Sequence, residues 1–471
     1  MPGGSPIAET ISPPRRVLPL LLVGYAAFYL CRANVEPALN LLAIEHGYDN
    51  EQLGIVMAIA LGAYAVGKLV FGPLADLLGG KRVLVGALLA SALISLAIAA
   101  SDAPRRFGAS AGLVVVGVFV VANRFVQAGG WGGLVDVVGG TYGPERRGTI
   151  MGILSTSYDI GNVLALVLSA AIVHLGAGWR ALFVVNPLIA LVVAFVVRLA
   201  LPSGRRPARD AEKTAPNTSA GRAQSPPFGQ IALQLARQRA LWFATGLSFL
   251  LTFVRAGFMT WTPRFLYEVS AAAGVPSATS SSIAKSAFFG VAGIIGSVVT
   301  GRISDRLGPG RRAPVMTTSL ALLVACTLGL AHAGVTSPAI ATLGVAACGL
   351  FLLGPYSLLA GAVSLDVAAA ASAVRSSGAL ATESAGGAAG DASGEAAAAA
   401  SRGAATAAGF IDAVGYVGAS LAAFVLGSVS KRAGWTAAFD VVAGVAFLAL
   451  LLALTWSAHR ASSAAAPATS T

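Results

Sequence analysis

Apolar positions in this chain come in long blocks separated by short polar ones. Twelve blocks stand out, at roughly 17–38, 52–78, 82–100, 111–134, 148–174, 180–201, 240–267, 280–304, 313–333, 337–362, 403–429 and 435–457. About 20 mostly apolar residues suffice for a helix to cross the hydrocarbon core of a bilayer. The pattern therefore predicts an all-α membrane protein with twelve transmembrane helices. Two interruptions are longer. Residues 202–238 are rich in Arg, Pro, Ser and Ala and read as a polar central loop. Residues 367–405 are Ala, Ser and Gly with scattered charges and read as a flexible low-complexity insertion, although so much Ala also permits a short helix. The expected organisation is a six-helix half over 1–201, the loop 202–238, a second half over 239–457 and a tail over 458–471.

Composition agrees with lipid as the solvent. Hydrophobic residues make up 56% of the chain and charged residues 11%, against about a quarter charged in soluble domains. The 56 glycines suit membrane helices, where small residues let backbones approach. The net charge of +12 reflects Lys and Arg in the short connections, so nucleic acid is not an expected partner; the lipid bilayer is. Arg15/Arg16, Lys81/Arg82, Arg146/Arg147, the central loop, Arg311/Arg312 and Arg460 fall on one side if twelve helices alternate. Arg105/Arg106, Arg180 and Lys431/Arg432 fall on the other. The excess places both termini and the central loop in the cytoplasm, with Lys431/Arg432 against the trend. Arg15 and Arg16 precede a first block long enough to span, with no small-residue cleavage site, so no cleavable signal peptide is expected.

Enzyme chemistry finds no foothold. Cys31, Cys326 and Cys348 lie inside apolar blocks, and His46, His174, His332 and His459 lie at or beyond block ends. No metal site, cofactor motif, phosphate loop or nucleophile–base set is expected.

A repeat links the halves. Gly72-Pro-Leu-Ala-Asp76-Leu-Leu-Gly79-Gly-Lys81-Arg82 follows the second block, and Gly301-Arg-Ile-Ser-Asp305-Arg-Leu-Gly308-Pro-Gly-Arg311-Arg312 follows the eighth. Glycine permits a tight turn, and acid–base pairs can latch neighbouring helices. Any membrane helix can end in glycine and charge, but two matched copies half a chain apart point to duplication. This loop pattern resembles the major facilitator superfamily, which implies two pseudo-symmetric six-helix bundles with a substrate site between them near mid-membrane. Arg124-Phe-Val-Gln127, followed by Gly130, fits a further pattern of that family. Gly72, Asp76, Arg82, Gly301, Asp305 and Arg312 are accordingly expected in gating or structure, and Arg124 chiefly in holding the fourth helix to its neighbours.

Two charges sit deeper. Arg32 lies within the first block and Arg255 within the seventh, the first helix of each half. A charge at mid-bilayer is costly and is a functional hypothesis by default. Two such arginines facing one cavity would form an anion clamp, because guanidinium is always charged and matches phosphate oxygens bidentately. The plainer reading is that each side chain snorkels to the interface. Asp412 and Asp440, in the last two blocks, read as helix-end or interhelical pairs.

The segments FYLCRAN, AYAVGK, FVRAGFMTWTPRFL and TAAGFIDAVGYVGASLAAFVLG resemble the organophosphate/inorganic-phosphate antiporters, which include the glycerol-3-phosphate and hexose-phosphate exchangers. VANRFVQAGGW and RGTIMGILSTSYDIGNVL resemble the eukaryotic sugar-phosphate exchangers of that group. The resemblance assigns Arg32 and Arg255 to the phosphate clamp, Lys68 to a pocket lysine and Tyr25, Tyr29 and Trp131 to pocket aromatics. Tyr158 and Asp159 stand where bacterial glycerol-phosphate exchangers place a pocket histidine, so Tyr158 is left to donate a hydrogen bond. Asp159 either adds negative charge beside an anion site or pairs with Lys68 or an arginine.

The expected function is a secondary transporter, monomeric and multi-pass, exchanging a phosphate ester for inorganic phosphate by alternating access. Exchange becomes obligatory if an empty, doubly charged site resists closure. A bacterial inner (plasma) membrane is the default location, with a eukaryotic organelle membrane as the alternative. Two rivals remain: a proton-coupled organic-anion symporter with Asp159 carrying the proton, and a phosphate-ester sensor that does not transport.

Overall fold

The computed structural model describes residues 16–142, 144–202, 237–307, 312–359 and 392–465. Among them all regular structure is helical. Eleven helical segments are long and apolar enough to cross a membrane. The last, Gly409–Ser457, has 49 residues; at 1.5 Å per residue it would run about 74 Å, more than twice a hydrocarbon core of about 30 Å. The backbone leaves helical geometry there at Gly434, with φ 79° and ψ 177°. Two crossings meet at that glycine, and the described residues hold twelve.

The remaining crossings follow the sequence blocks, with two informative departures. The first runs on to His46, in two pieces, Val17–Leu30 and Val35–His46. Pro37 explains the break: its ring excludes the carbonyl of the residue four positions earlier, Ala33, and it offers no N–H to bond it. The fourth crossing, Ala109–Thr141, breaks at Ala128, next to Gly129 and Gly130, a common kink site. The others are Asn50–Leu78, Gly80–Ser101, Pro144–His174, Trp179–Ala200, Arg239–Ala272, Ala278–Leu307, Arg312–Ala333 and Pro338–Leu358.

The insertion expected at 367–405 needs correction. Its part up to 391 lies outside the described residues, but from Ala392 the chain is already helical and continues into the eleventh crossing. Alanine is the strongest helix former, so the adjoining helix extends into the Ala-rich run. The central loop, apart from Pro202, Arg237 and Gln238, and the tail beyond 465 lie outside the described residues.

The molecule turns its apolar side chains outward as well as inward. Leu69, Val114, Val192, Leu199 and Leu343 are each more than 60% exposed, which only lipid would stabilise. Contacts between the first six crossings and the last six run mainly through two helix pairs, second on eleventh and fifth on eighth. Near the face opposite the termini the second and eleventh cross backbone to backbone. A Cβ on Gly427 would meet the Asn50 carbonyl oxygen at 2.5 Å and the Gly54 Cα at 3.1 Å, so neither helix tolerates a side chain at the crossing.

Candidate functional site

The break in the first crossing frees backbone carbonyls in a setting without water, and such groups need partners. The fourth crossing supplies them. Gln127 Nε2 donates to the Cys31 carbonyl at 3.0 Å, and an Arg124 terminal N–H donates to the Arg32 carbonyl at 3.2 Å. Arg124 also pairs with Glu36 at 2.7 Å. Asn123 and Gln127 tie on to Ser91 and Ser95 of the third crossing. The R-x-x-Q spacing thus places two donors one helical turn apart against one break.

Arg32 projects from that break. Counted from Val17 to His46 it lies at the middle of its crossing, not near an end, which removes the geometric basis for snorkelling. Its Nε donates to Gln127 Oε1 at 2.9 Å. Its guanidinium carbon lies 5.0 Å from the Tyr29 ring centre and 4.3 Å from that of Tyr64. Arg255 occupies the middle of the seventh crossing. Its guanidinium lies 5.0 Å from the Tyr158 ring and 4.8 Å from the Tyr356 ring. One terminal nitrogen reaches Asp159 at 3.5 Å, and the buried Nε meets no acceptor among the described residues. Each arginine is therefore flanked by two tyrosine rings, a setting that favours a cation; a terminal N–H of Arg32 donates to the Tyr29 hydroxyl at 3.4 Å and one of Arg255 faces Asp159, partners that an arriving anion would displace.

Both arginines line one central cavity, a recess walled mainly by apolar and aromatic side chains with a few polar groups converging on it, as small-molecule sites are. Tyr29, Tyr64, Tyr416, Glu36 and Arg124 share its wall. The other expected residues are close but differently placed. Tyr25 lies behind Tyr29, its ring 6.1 Å from Tyr29 and 5.3 Å from Trp131; neither Tyr25 nor Trp131 is on the wall. Tyr158 and Asp159 reach the cavity through Arg255. Lys68 is bonded to Asp412 of the eleventh crossing and lies 5.3 and 5.0 Å from the Tyr64 and Tyr416 rings.

Sequence reading missed Tyr64, Tyr356, Tyr416, Glu36 and Gln127 as site residues. A signal for two of them was present. Tyr64 precedes Lys68 by four residues, and Tyr416 follows Asp412 by four, so each pair shares a helix face. On antiparallel helices the opposite orders bring Lys68 to Asp412 and Tyr64 to Tyr416, whose ring centres are 4.4 Å apart.

The repeated turns lie at helix ends, off the cavity. Gly72, Arg82, Gly301 and Asp305 are not on its wall, and Gly79 takes the positive φ of 93° that the turn needs. The side chains of Asp76 and Arg312 lie outside the described residues. At the opposite face, Lys431 pairs with Asp49 at 3.1 Å and with Glu51 at 2.8 Å, and Arg432 with Glu51 at 2.9 Å. These carboxylates account for the basic pair that ran against the charge trend. Partial burial lifts the Asp49 carboxyl, but the Gln52 N–H and the Lys431 ammonium outweigh it and hold it below its ordinary value. Arg264 adds bonds to Asn40 and Asn50 at 3.1 Å each. That face is closed by contacts between the two sets of six. Asp440 pairs with His332 at 3.2 Å, an interhelical pair away from the cavity. No group of three or more His, Cys, Asp or Glu among the described residues is placed to hold a metal ion.

A model of the family described as Major Facilitator Superfamily matches residues 21–391. The chain is 24% identical over 447 residues to a glycerol-3-phosphate transporter of Bacillus subtilis (strain 168), covering 93% of this chain and 91% of that one. It is 26% identical over 466 residues to a probable hexose phosphate transport protein of Chlamydia pneumoniae, covering 94% and 91%. Among solved structures, its fold is similar to the xylose transporter XylE from E. coli (TM-score 0.66, 14% identity, 93% of this chain and 96% of that one). The nucleoside transporter NupG gives a TM-score of 0.64 at 14% identity, covering 93% and 99%.

Proposed function

The chain belongs to the Major Facilitator Superfamily, and we propose that it carries phosphorylated three- or six-carbon metabolites across the membrane by alternating access, in exchange with inorganic phosphate among other anions. One observation carries this reading. Arg32 and Arg255, from the first helix of each half, line a single mid-membrane cavity, each flanked by two tyrosines. A phosphate bridging them would draw the halves together. The names of the relatives, a glycerol-3-phosphate transporter and a probable hexose phosphate transport protein, support a phosphate ester over a carboxylate.

In this reading residues 1–201 and 239–457 are the two rocking halves, 202–238 is the cytoplasmic connection and 458–471 is a cytoplasmic tail. The basic bias of the connections supports both termini inside, and the bacterial relatives support the plasma membrane. The Glu51–Lys431–Arg432 cluster then closes the outer face. Asp76 and Asp305, in the cytoplasmic turns, act in gating, and Arg124 holds the fourth helix to the first.

Counterflow in proteoliposomes tests the proposal. Vesicles loaded with unlabelled phosphate should accumulate labelled phosphate transiently, and outside glycerol 3-phosphate or glucose 6-phosphate should suppress it. Uptake of a carboxylate driven by a pH gradient, with no response to any phosphate ester, would favour a proton-coupled symporter working through Asp159 and Arg255.

A further inference from the structure

Three ion pairs surround the cavity, and they are not alike. Arg124–Glu36 joins the first and fourth crossings, both in the first half, so rocking of the halves leaves it intact. The other two pairs cross between halves. Asp159 of the fifth crossing meets Arg255 of the seventh, and Lys68 of the second meets Asp412 of the eleventh. Their polarity is reversed: the first half gives the acid to one pair and the base to the other. Asp159 and Arg255 are both about nine-tenths buried at the side chain, 13% and 10% exposed, and Lys68 is 15% exposed.

The charge balance of the site follows. Arg32, Arg255, Lys68 and Arg124 supply four positive charges; Glu36, Asp159 and Asp412 supply three negative ones. Each carboxylate pairs with a different cation, and among the described residues Arg32 alone of the four has no carboxylate partner. Arg32 leans instead on Gln127 and the faces of Tyr29 and Tyr64.

This bears on how the carrier returns. Closing a cavity over bare cations is costly, because each loses hydration without gaining a counter-charge. Had Arg32, Arg255 and Lys68 stood alone, only an anionic cargo could neutralise them, and movement would be locked to exchange. This chain brings its own anions for two of the three, Arg255 and Lys68, and leaves Arg32 to Gln127 and the faces of Tyr29 and Tyr64. A bound phosphate and Asp159 compete for the same guanidinium, so cargo displaces the carboxylate on arrival and the carboxylate recovers Arg255 on departure. Lys68 and Asp412 do the same toward the cytoplasmic side.

We propose that Asp159 and Asp412 are built-in counter-anions that let the carrier recross the membrane without cargo, so that the protein catalyses net movement of phosphate esters as well as exchange. The proposal rests on the phosphate-ester reading above, and it replaces the expectation of obligatory exchange from a doubly charged site.

The test uses the full chain in proteoliposomes loaded with labelled phosphate or labelled glycerol 3-phosphate, with potassium and valinomycin clamping the membrane potential. Efflux is followed into buffer holding excess unlabelled probe, which reads exchange, and into buffer holding none, which reads net movement. Net efflux should proceed within about tenfold of exchange. In Asp159→Asn and Asp412→Asn the ratio of net efflux to exchange should fall by about tenfold or more, since the crossing state then holds a second cation without a carboxylate beside Arg32. Asp159→Glu and Asp412→Glu, which keep the charge, should hold most of the ratio. Because exchange is read in the same vesicles, loss of folding registers in both arms and leaves the ratio for the Glu variants and the unmodified protein to decide. Exchange without net efflux above protein-free vesicles would overturn the proposal and leave the phosphate-ester reading standing. So would Asn variants with an unchanged ratio. Absence of both movements for every phosphate compound would overturn the phosphate-ester reading itself, and this proposal with it.

Discussion

The Nε of Arg32 donates to Gln127 Oε1 at 2.9 Å, while Gln127 Nε2 donates to the carbonyl of Cys31, the residue just before that arginine. One amide thus holds both the side chain and the backbone of the same turn, which fixes the direction in which the guanidinium presents its remaining donors. Gln127→Leu removes the acceptor at nearly constant size. A hydrogen bond to a charged group contributes about 1.5–3 kcal/mol, so phosphate affinity should fall by about 10- to 100-fold while the protein still inserts. Gln127→Glu should impair phosphate binding further, because a carboxylate beside Arg32 would neutralise the one cation of the four around the cavity that, among the described residues, lacks such a partner. Competition by phosphate against a labelled ester measures both. Unchanged affinity in both variants would remove Gln127 from the site.

Much of this was legible in the sequence, and the reasons are specific. Twelve crossings could be read because lipid-facing helices must be apolar all round. Arg32 and Arg255 could be singled out because charge inside an apolar block is rare. What could not be read was pairing between helices. Asp159 had Lys68 and the arginines as candidate partners, and only the approach of the fifth crossing to the seventh assigns it to Arg255. Tyr356 sits in an ordinary apolar stretch, and nothing local marks it as the second ring on Arg255. The Ala-rich run from 392 could be read two ways, since low complexity suggested a loop while Ala permitted a helix, and the structure shows the helix.

Arg124 and Glu36 form a buried pair at 2.7 Å with side chains 3% and 11% exposed. Removing one partner of such a pair leaves an uncompensated charge and costs about 3–5 kcal/mol. Arg124→Ala should therefore lower the thermal unfolding midpoint in detergent sharply. Glu36→Gln added to it should restore part of the loss, since the stranded charge is gone. An Arg124→Ala protein that melts with the unmodified one would show that the pair does not hold the fourth crossing to the first.

Gly427 and Gly54 set how closely the second and eleventh crossings approach at the face opposite the termini. Gly427→Ala places a methyl against the Asn50 carbonyl, and relief requires the helices to part. Parting also strains the bonds from Lys431 and Arg432 to Asp49 and Glu51. The substitution should shift the population toward a state open at that face. A cysteine at Leu53, which lines the small recess at that face, should then, with the termini inside as proposed, react faster with an impermeant thiol reagent added outside, in a background lacking Cys31, Cys326 and Cys348. Equal labelling rates would mean that this crossing does not control closure.

The arginines themselves give the most direct test of the clamp. Arg32 and Arg255 stand in corresponding helices of the two halves, and each lies within about 5 Å of two tyrosine rings, inside the roughly 6 Å reach of cation–π attraction. If both grip one phosphate, lysine should not replace either. It keeps the charge but loses the planar fork that meets two phosphate oxygens at once. Arg32→Lys and Arg255→Lys should each reach the membrane and exchange phosphate poorly. The alanine variants should be worse, because a charge-assisted contact of about 1.5–3 kcal/mol disappears from a poorly solvated site. The double alanine variant should be little worse than either single one, since residues that act as a unit are not additive. The measurement is phosphate self-exchange at matched protein density. If both lysine variants exchange at the unmodified rate, the two guanidinium groups do not act as a bidentate clamp, and a proton-coupled anion symporter becomes the better account of the cavity.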